Sequence, residues 1–96
     1  MLELEREVEK YLVKRVAAAG GTAYKFTSPS NRGVYDRLVV MPKGVVWFVE
    51  LKSTIGKLSR LQERFRDRMV QLGHRNIVLN STDAVDRFIG QLEQDT

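Results

Sequence analysis

The chain has 96 residues, 43% of them hydrophobic and 29% charged, which suits one small globular domain spanning residues 1–96 and leaves too few residues for a second. With no Cys and a single His, disulfides, thiolate metal sites, cysteine nucleophiles and the usual zinc clusters are excluded, so any metal has to be held by oxygen. No apolar run approaches the ~20 residues of a membrane span, and the start MLELEREVEK is charged where a signal peptide would be greasy. The expectation is a soluble, intracellular protein with no membrane partner.

Net charge is +4 and unevenly spread. Residues 1–15 carry four charges of each sign, residues 22–52 five basic and two acidic, residues 57–75 six and two, and residues 82–96 one and four. A basic middle between a neutral start and an acidic tail points to a polyanion, because clustered Lys and Arg displace counterions from phosphates. Charge alone leaves a merely solvated basic face as the alternative.

Leu4, Val8, Tyr11, Leu12, Val16 and Ala19 recur at helical spacing up to Gly20-Gly21 and predict a first amphipathic helix. A short strand follows over Ala23–Thr27, then a polar loop, Ser28 to Gly33. Val34–Met41 and Val45–Lys52 are β-branched and aromatic, with Pro42-Lys43-Gly44 between them as a type I turn closed by a left-handed glycine; they predict a hairpin. Its second strand is apolar on both faces and so belongs at the centre of a sheet. Ser59 and Gln62 form a capping box before a helix striped by Leu61, Phe65, Met69 and Leu72. Asn76–Leu79 gives a last strand, and Ser81 or Thr82 caps a final helix striped by Val85, Phe88, Ile89 and Leu92. The order is α, β, β, β, α, β, α.

A hairpin loop of residues 42–44 sets Met41 against Val45 and, counting outward, Asp36 directly against Glu50. Opposed carboxylates only about 5 Å apart destabilise a sheet unless something cationic lies between them. Lys52, two residues past Glu50, is on the same face. A local ion network at a strand end would explain the trio. The apolar strand that carries it favours instead a site at the edge of the core, where an acidic pair suits Mg²⁺ or Mn²⁺, with phosphate and water completing the shell. Lys52 would then assist the attacking water or offset charge on phosphorus. Glu7, on the border of the first helix's apolar face, is a further carboxylate that by periodicity alone reads more readily as a solvated helix residue. Gln62 is already accounted for by its capping box, and His74 by its place after a helix C-terminus.

The segments GVYDR (Gly33–Arg37), FVELK (Phe48–Lys52) and GKLSRLQ (Gly56–Gln62), followed by a strand after LGHRN, resemble the VRR-NUC family of the PD-(D/E)XK nuclease superfamily. The resemblance covers nearly the whole chain. It implies an α/β, restriction-endonuclease-like fold with an αβββαβ core, a mixed central sheet flanked by helices, and metal-dependent cleavage of DNA. Position by position, Asp36 and Glu50 resemble the metal ligands, the Leu51 carbonyl a backbone ligand, Glu7 the helix-one acid, Lys52 the catalytic lysine and Gln62 the helix-two glutamine. Tyr35 departs from the family, which usually has Pro there, so the aim of Asp36 or the substrate preference is expected to differ. Members without accessory domains, which this chain resembles, are associated with phages and with branched DNA such as four-way junctions.

The leading expectation is therefore a structure-selective DNA endonuclease acting in a phage-infected or bacterial cytoplasm, with Arg32, Arg37, Lys57, Arg60 and Arg64 on phosphate. A catalytically silent nucleic-acid-binding module, or a flap-type nuclease of the same superfamily, are the alternatives. A homodimer is also expected, since paired nicks in a junction need two sites. Its interface would come from the stripe Val85, Phe88, Ile89, Leu92 or from the strand face bearing Trp47.

Overall fold

Alternating faces of one short strand organise the protein. Its structure, a computed structural model, describes residues 2–27 and 35–95. The elements are α1 (Glu5–Ala18), β1 (Thr22–Lys25), β2 (Arg37–Val40), a 3-10 turn (Pro42–Gly44), β3 (Val46–Leu51), α2 (Arg60–Gln71), β4 (Asn76–Leu79) and α3 (Thr82–Asp95). The strands lie in the order β1-β2-β3-β4; the first two pairings are antiparallel and β3–β4 is parallel, with α2 as the crossover that a parallel pair requires. This is the mixed α/β architecture that the resemblance implies, in the element order that the residue pattern predicts, with β3 flanked by a strand on each side. The expected polar loop, Ser28 to Gly33, and Val34, the expected start of the next strand, lie outside the described residues. Among the described residues no helix is long and apolar enough to cross a membrane.

The β2–β3 register is Arg37↔Val49, Leu38↔Phe48, Val39↔Trp47 and Val40↔Val46, as a three-residue loop dictates. Two details differ from expectation. The turn is not type I: Lys43 sits at φ 65°, ψ 24°, so the residue after Pro42 is itself left-handed, followed by Gly44 at φ 76°. Met41 N–H donates to Val45 O at 2.8 Å and closes the loop. The ladder also stops one pair short of Asp36 and Glu50. Asp36 N–H donates to the Val49 carbonyl at 3.0 Å, the residue already paired with Arg37, so the chain bends at Asp36 in the manner of a bulge.

Trp47 and Phe48 are neighbours in β3 and so point to opposite faces. On one face Trp47 meets Phe88 of α3 edge-on, centroids 5.3 Å apart, inside a core built from Val8, Leu12 and Val16 of α1, Val39, Val49 and Leu51 of the sheet, and Val85, Phe88, Ile89 and Leu92 of α3. Tyr11 OH donates to Asp86 at 2.7 Å, and Arg15 bonds both groups, which joins α1 to α3. Gly21 lets the α1–β1 turn approach β2, since a Cβ there would stand 2.7 Å from the Val40 carbonyl oxygen. On the other face Phe48 packs against Tyr35 (5.8 Å), and Tyr35 against Phe65 of α2 (5.6 Å).

The α3 stripe is thus fully used inside this core, every member at most 1% exposed, and neither it nor Trp47 is available as an interface between copies. The α2 stripe behaves differently. No α2 residue is buried, and Leu61 and Leu72 are 47% and 52% exposed, because α2 rests on a single layer of aromatic rings with no third helix behind it. Phe88→Ala is accordingly expected to destabilise the folded chain by about 3–5 kcal/mol. Urea denaturation would show this as a lower midpoint, and an unchanged midpoint would place Phe88 outside the core.

Candidate active site

Four elements meet at the C-terminal end of β3. Asp36 arrives from the bend before β2, where its carbonyl accepts from Phe26 N–H (2.9 Å) and its N–H is held by Val49. Its carboxylate Oδ2 accepts the Leu51 N–H at 2.8 Å. The side chain thus takes over the ladder bond that β2 no longer supplies, and this fixes its direction. In an extended strand the carbonyl of a residue faces the same neighbour as its N–H, so the Leu51 C=O opens toward Asp36 as well. Tyr35, 2% exposed, anchors the bend: its hydroxyl donates to Asn76 Oδ1 at 2.9 Å, and burial pushes its pKa up to about 12.

Glu50 is the only charged residue among the buried described residues, 3% exposed. Burial, then hydrogen bonding and charge repulsion from Asp36, push its carboxyl up to about 9, with Lys52 pulling the other way. Gln62 serves two partners. Its Oε1 accepts from Ser59 N–H (2.8 Å) while Ser59 Oγ accepts from Gln62 N–H (3.1 Å), completing the capping box, and its Nε2 donates to Glu50 Oε2 at 3.1 Å. The capping role and the site role are the same geometry: fixing the start of α2 aims the amide at Glu50. Lys52 is half-buried, and its N–H continues the β3–β4 pairing by donating to Leu79 O at 3.0 Å.

The helix-one carboxylate nearest this group is Glu5. Its carboxyl is raised by burial and by Asp36, and lowered by Lys52. Glu5 and Glu7 are both exposed, but two residues apart on a helix they point to different sides. What sets the difference is a clamp with no signature in the sequence: Glu3 N–H donates to Thr54 Oγ1 (2.8 Å), Thr54 N–H donates to Glu3 O (3.0 Å), and Glu3 Oε1 accepts from Thr82 N–H (2.9 Å). The start of α1 is thereby held beside the segment that follows Lys52.

The structure brings together Asp36, Glu50, Lys52, Gln62 and Leu51 from the sequence-predicted set. Lys57, Arg60 and Arg64 are exposed on and before the first turns of α2. Arg37 is otherwise engaged: its Nε pairs with Glu9 Oε2 at 2.8 Å and its Nη1 donates to Ala23 O at 3.0 Å. Arg32 lies outside the described residues. Among the described residues no three His, Asp or Glu side chains form a metal cage. The oxygen donors at hand are the Asp36–Glu50 pair and a backbone carbonyl, the incomplete set that a hard cation fills with water and phosphate.

No family model matches the chain. It is similar to the protein named "Putative nuclease p44" of Acyrthosiphon pisum secondary endosymbiont phage 1, 49% identical over 79 residues that span 82% of this chain and 85% of that protein. It is also similar to a solved structure described as "VRR_NUC domain", at TM-score 0.84 and 36% identity, over 90% of this chain and 94% of that one.

The raised Glu50 carboxyl has a consequence for stability. Between the ordinary carboxyl value of 4.5 and about 9, the folded chain holds a proton that the unfolded chain releases. Stability from this group is therefore complete below pH 4.5 and is lost as pH rises toward 9. Glu50→Gln is expected to flatten that decline, and thermal melts of metal-free protein across this range would check it. Parallel slopes in the two proteins would overturn it.

Proposed function

Because the chain belongs to the VRR-NUC family of nucleases and buries one carboxyl against another beside a lysine, we propose that it is a divalent-metal-dependent, structure-selective DNA endonuclease that cuts branched DNA such as four-way junctions. The observation that carries the reading is Glu50, kept at 3% exposure next to Asp36 when an apolar residue there would fold more easily. The donor set fits a hard cation: Asp36, Glu50 and the Leu51 carbonyl would hold Mg²⁺ or Mn²⁺, with Glu5 taking the helix-one role that the resemblance gave to Glu7. When bound, the ion neutralises the carboxylates and polarises the phosphate and attacking water.

The protein's own groups do the rest. Asp36 is aimed by the Leu51 N–H, and Gln62 keeps the Glu50 carboxyl from rotating away. Lys52 presents an ammonium to the phosphate, where it offsets the charge that builds as water oxygen bonds to phosphorus and the bond to the leaving sugar oxygen breaks. Lys57, Arg60 and Arg64 hold the substrate by phosphate contacts, which position DNA without reading its sequence. The setting is the cytoplasm of a bacterium or phage-infected cell.

Incubating labelled duplex, flap and four-way-junction DNA with the protein in EDTA, Mg²⁺ or Mn²⁺ tests this reading. Cleavage is expected only with metal, and most readily on the junction. Asp36→Ala and Glu50→Ala are expected to abolish it while the fold is retained. Lys52→Ala is expected to bind DNA normally and to turn over at least about 100-fold more slowly, the effect of a few kcal/mol of lost transition-state stabilisation. Full cleavage in EDTA, or by Asp36→Ala, would sink the proposal.

The active form we propose is a homodimer, since two nicks of two-fold symmetry need two sites. With the α3 stripe spent inside the monomer core and α2 presenting Arg60 and Arg64 to DNA, the apolar surface left for it includes Tyr24, 58% exposed on the edge strand β1. Sedimentation at micromolar concentration is expected to give twice the chain mass. A one-chain species that still makes paired nicks would contradict it.

A further inference from the structure

Residues 1–15 are neutral by count, yet the helix they form is not neutral by face. Arg6, Lys10 and Lys14 recur every fourth residue along α1 and are all exposed. Among the described residues none of the three has an ion-pair partner. The acid that shares their groove, Glu9, is taken by Arg37 at 2.8 Å and approached by Lys25 at 3.9 Å. Together Arg6, Glu9, Lys10, Val13, Lys14 and Arg37 line an open groove of about 550 Å³. Its near end adjoins the acids: Arg6 follows Glu5, and Arg37 follows Asp36.

Three cations spaced four residues apart span about 12 Å of helix. One DNA strand carries a phosphate about every 3.4 Å of duplex axis, and farther apart along the strand itself because it winds, so the stripe reaches two or three consecutive phosphates. The groove floor is apolar Val13 with the paired Glu9 set into it, so the cations stand at the rim, where a backbone would run.

This surface cannot share a duplex with the Lys57–Arg60–Arg64 surface. Trp47 and Phe48 send α1 with α3, and α2, to opposite faces of the sheet, and the start of α1 is tied to Thr54, in the segment that leads into α2. A duplex with a persistence length of about 150 base pairs does not fold back across so thin a layer. Two duplex arms that diverge from a branch point would each find one basic face. Resting on the DNA-nuclease reading above, we infer that the Arg6–Lys10–Lys14 stripe is a second phosphate-binding surface, which holds the second arm of a branched DNA while the first lies on α2.

The test is DNA binding by the full chain in EDTA, read by fluorescence anisotropy across a range of salt, on a four-way junction and on a single duplex of the same arm length. The variant is Arg6→Gln with Lys10→Gln and Lys14→Gln, all exposed helix positions where Gln is a good helix former. For the junction, the slope of log affinity against log salt is expected to fall by about 2–3, as the loss of two or three phosphate contacts implies, and affinity at 0.15 M salt by at least tenfold. For the duplex the slope is expected to change by less than about 1. The charge-preserving set Arg6→Lys, Lys10→Arg, Lys14→Arg is expected to restore the junction slope, which separates lost charge from lost fold. Unchanged slopes on both DNAs would overturn the inference. So would equal losses on both, which would put the stripe and α2 on one arm. A variant that sediments at half the parent mass with its slopes intact would show that the stripe meets an acidic surface of a second copy, and would also overturn it. Failure of the nuclease reading would be seen separately, as no metal-dependent cleavage by the unaltered protein, with the binding slopes still measurable.

Discussion

Burying a carboxyl at the end of an apolar strand sets the terms for everything packed around it. Glu50 is where it is because Trp47, Phe48 and Val49 place β3 in the middle of the sheet, with a helix layer on one face and an aromatic layer on the other. Water cannot solvate it there, so its neighbours must. Gln62 supplies a donor, Lys52 a charge, and Asp36, which worsens the electrostatics, is itself satisfied by a backbone N–H. An arrangement that holds two acids together only by keeping a proton on one of them is poor as structure and well suited to exchanging that proton for a cation.

The two sides of the sheet divide the work. The α1–α3 side carries nearly all the fully buried side chains and therefore most of the hydrophobic stabilisation. The α2 side is thin, so α2 is located less by packing than by its ends. At its N-terminus the capping box fixes Ser59 and Gln62, and Tyr35 bolts the middle of the helix, through Phe65, to the start of β4 through Asn76. Tyr35 anchors the bend before Asp36 by a buried hydroxyl and two ring contacts, where the resemblance leads one to expect the rigid ring of a Pro in the backbone.

What could be read from the residues alone were features decided locally. Loop length dictates hairpin register, so the approach of Asp36 to Glu50 follows from Pro42-Lys43-Gly44 to within one ladder pair. The box Ser59-x-x-Gln62 and the apolar run of β3 are equally self-contained. What escaped depends on contacts distant in sequence. Glu5 rather than Glu7 turns toward the acids because Glu3 is tied to Thr54, and helical periodicity cannot foresee how the helix is rolled. Arg37 reads as a free cation until Glu9 and Ala23 are folded against it. The α2 stripe reads like that of α3, and only the missing third layer makes one exposed and the other dry. Block sums of charge also mislead on a helix, where opposite signs sort onto different sides.

The clamp at Glu3 gives the site a weak point of its own. Its bonds join residues 51 and 79 positions apart, yet its neighbours Leu2 and Leu4 are 68% and 49% exposed, so little burial holds it shut. Local opening of such a segment requires far less free energy than global unfolding. The place of Glu5 beside the acids thus rests on a few bonds between distant parts of the chain, whereas Asp36 and Glu50 are held from the sheet and the start of α2.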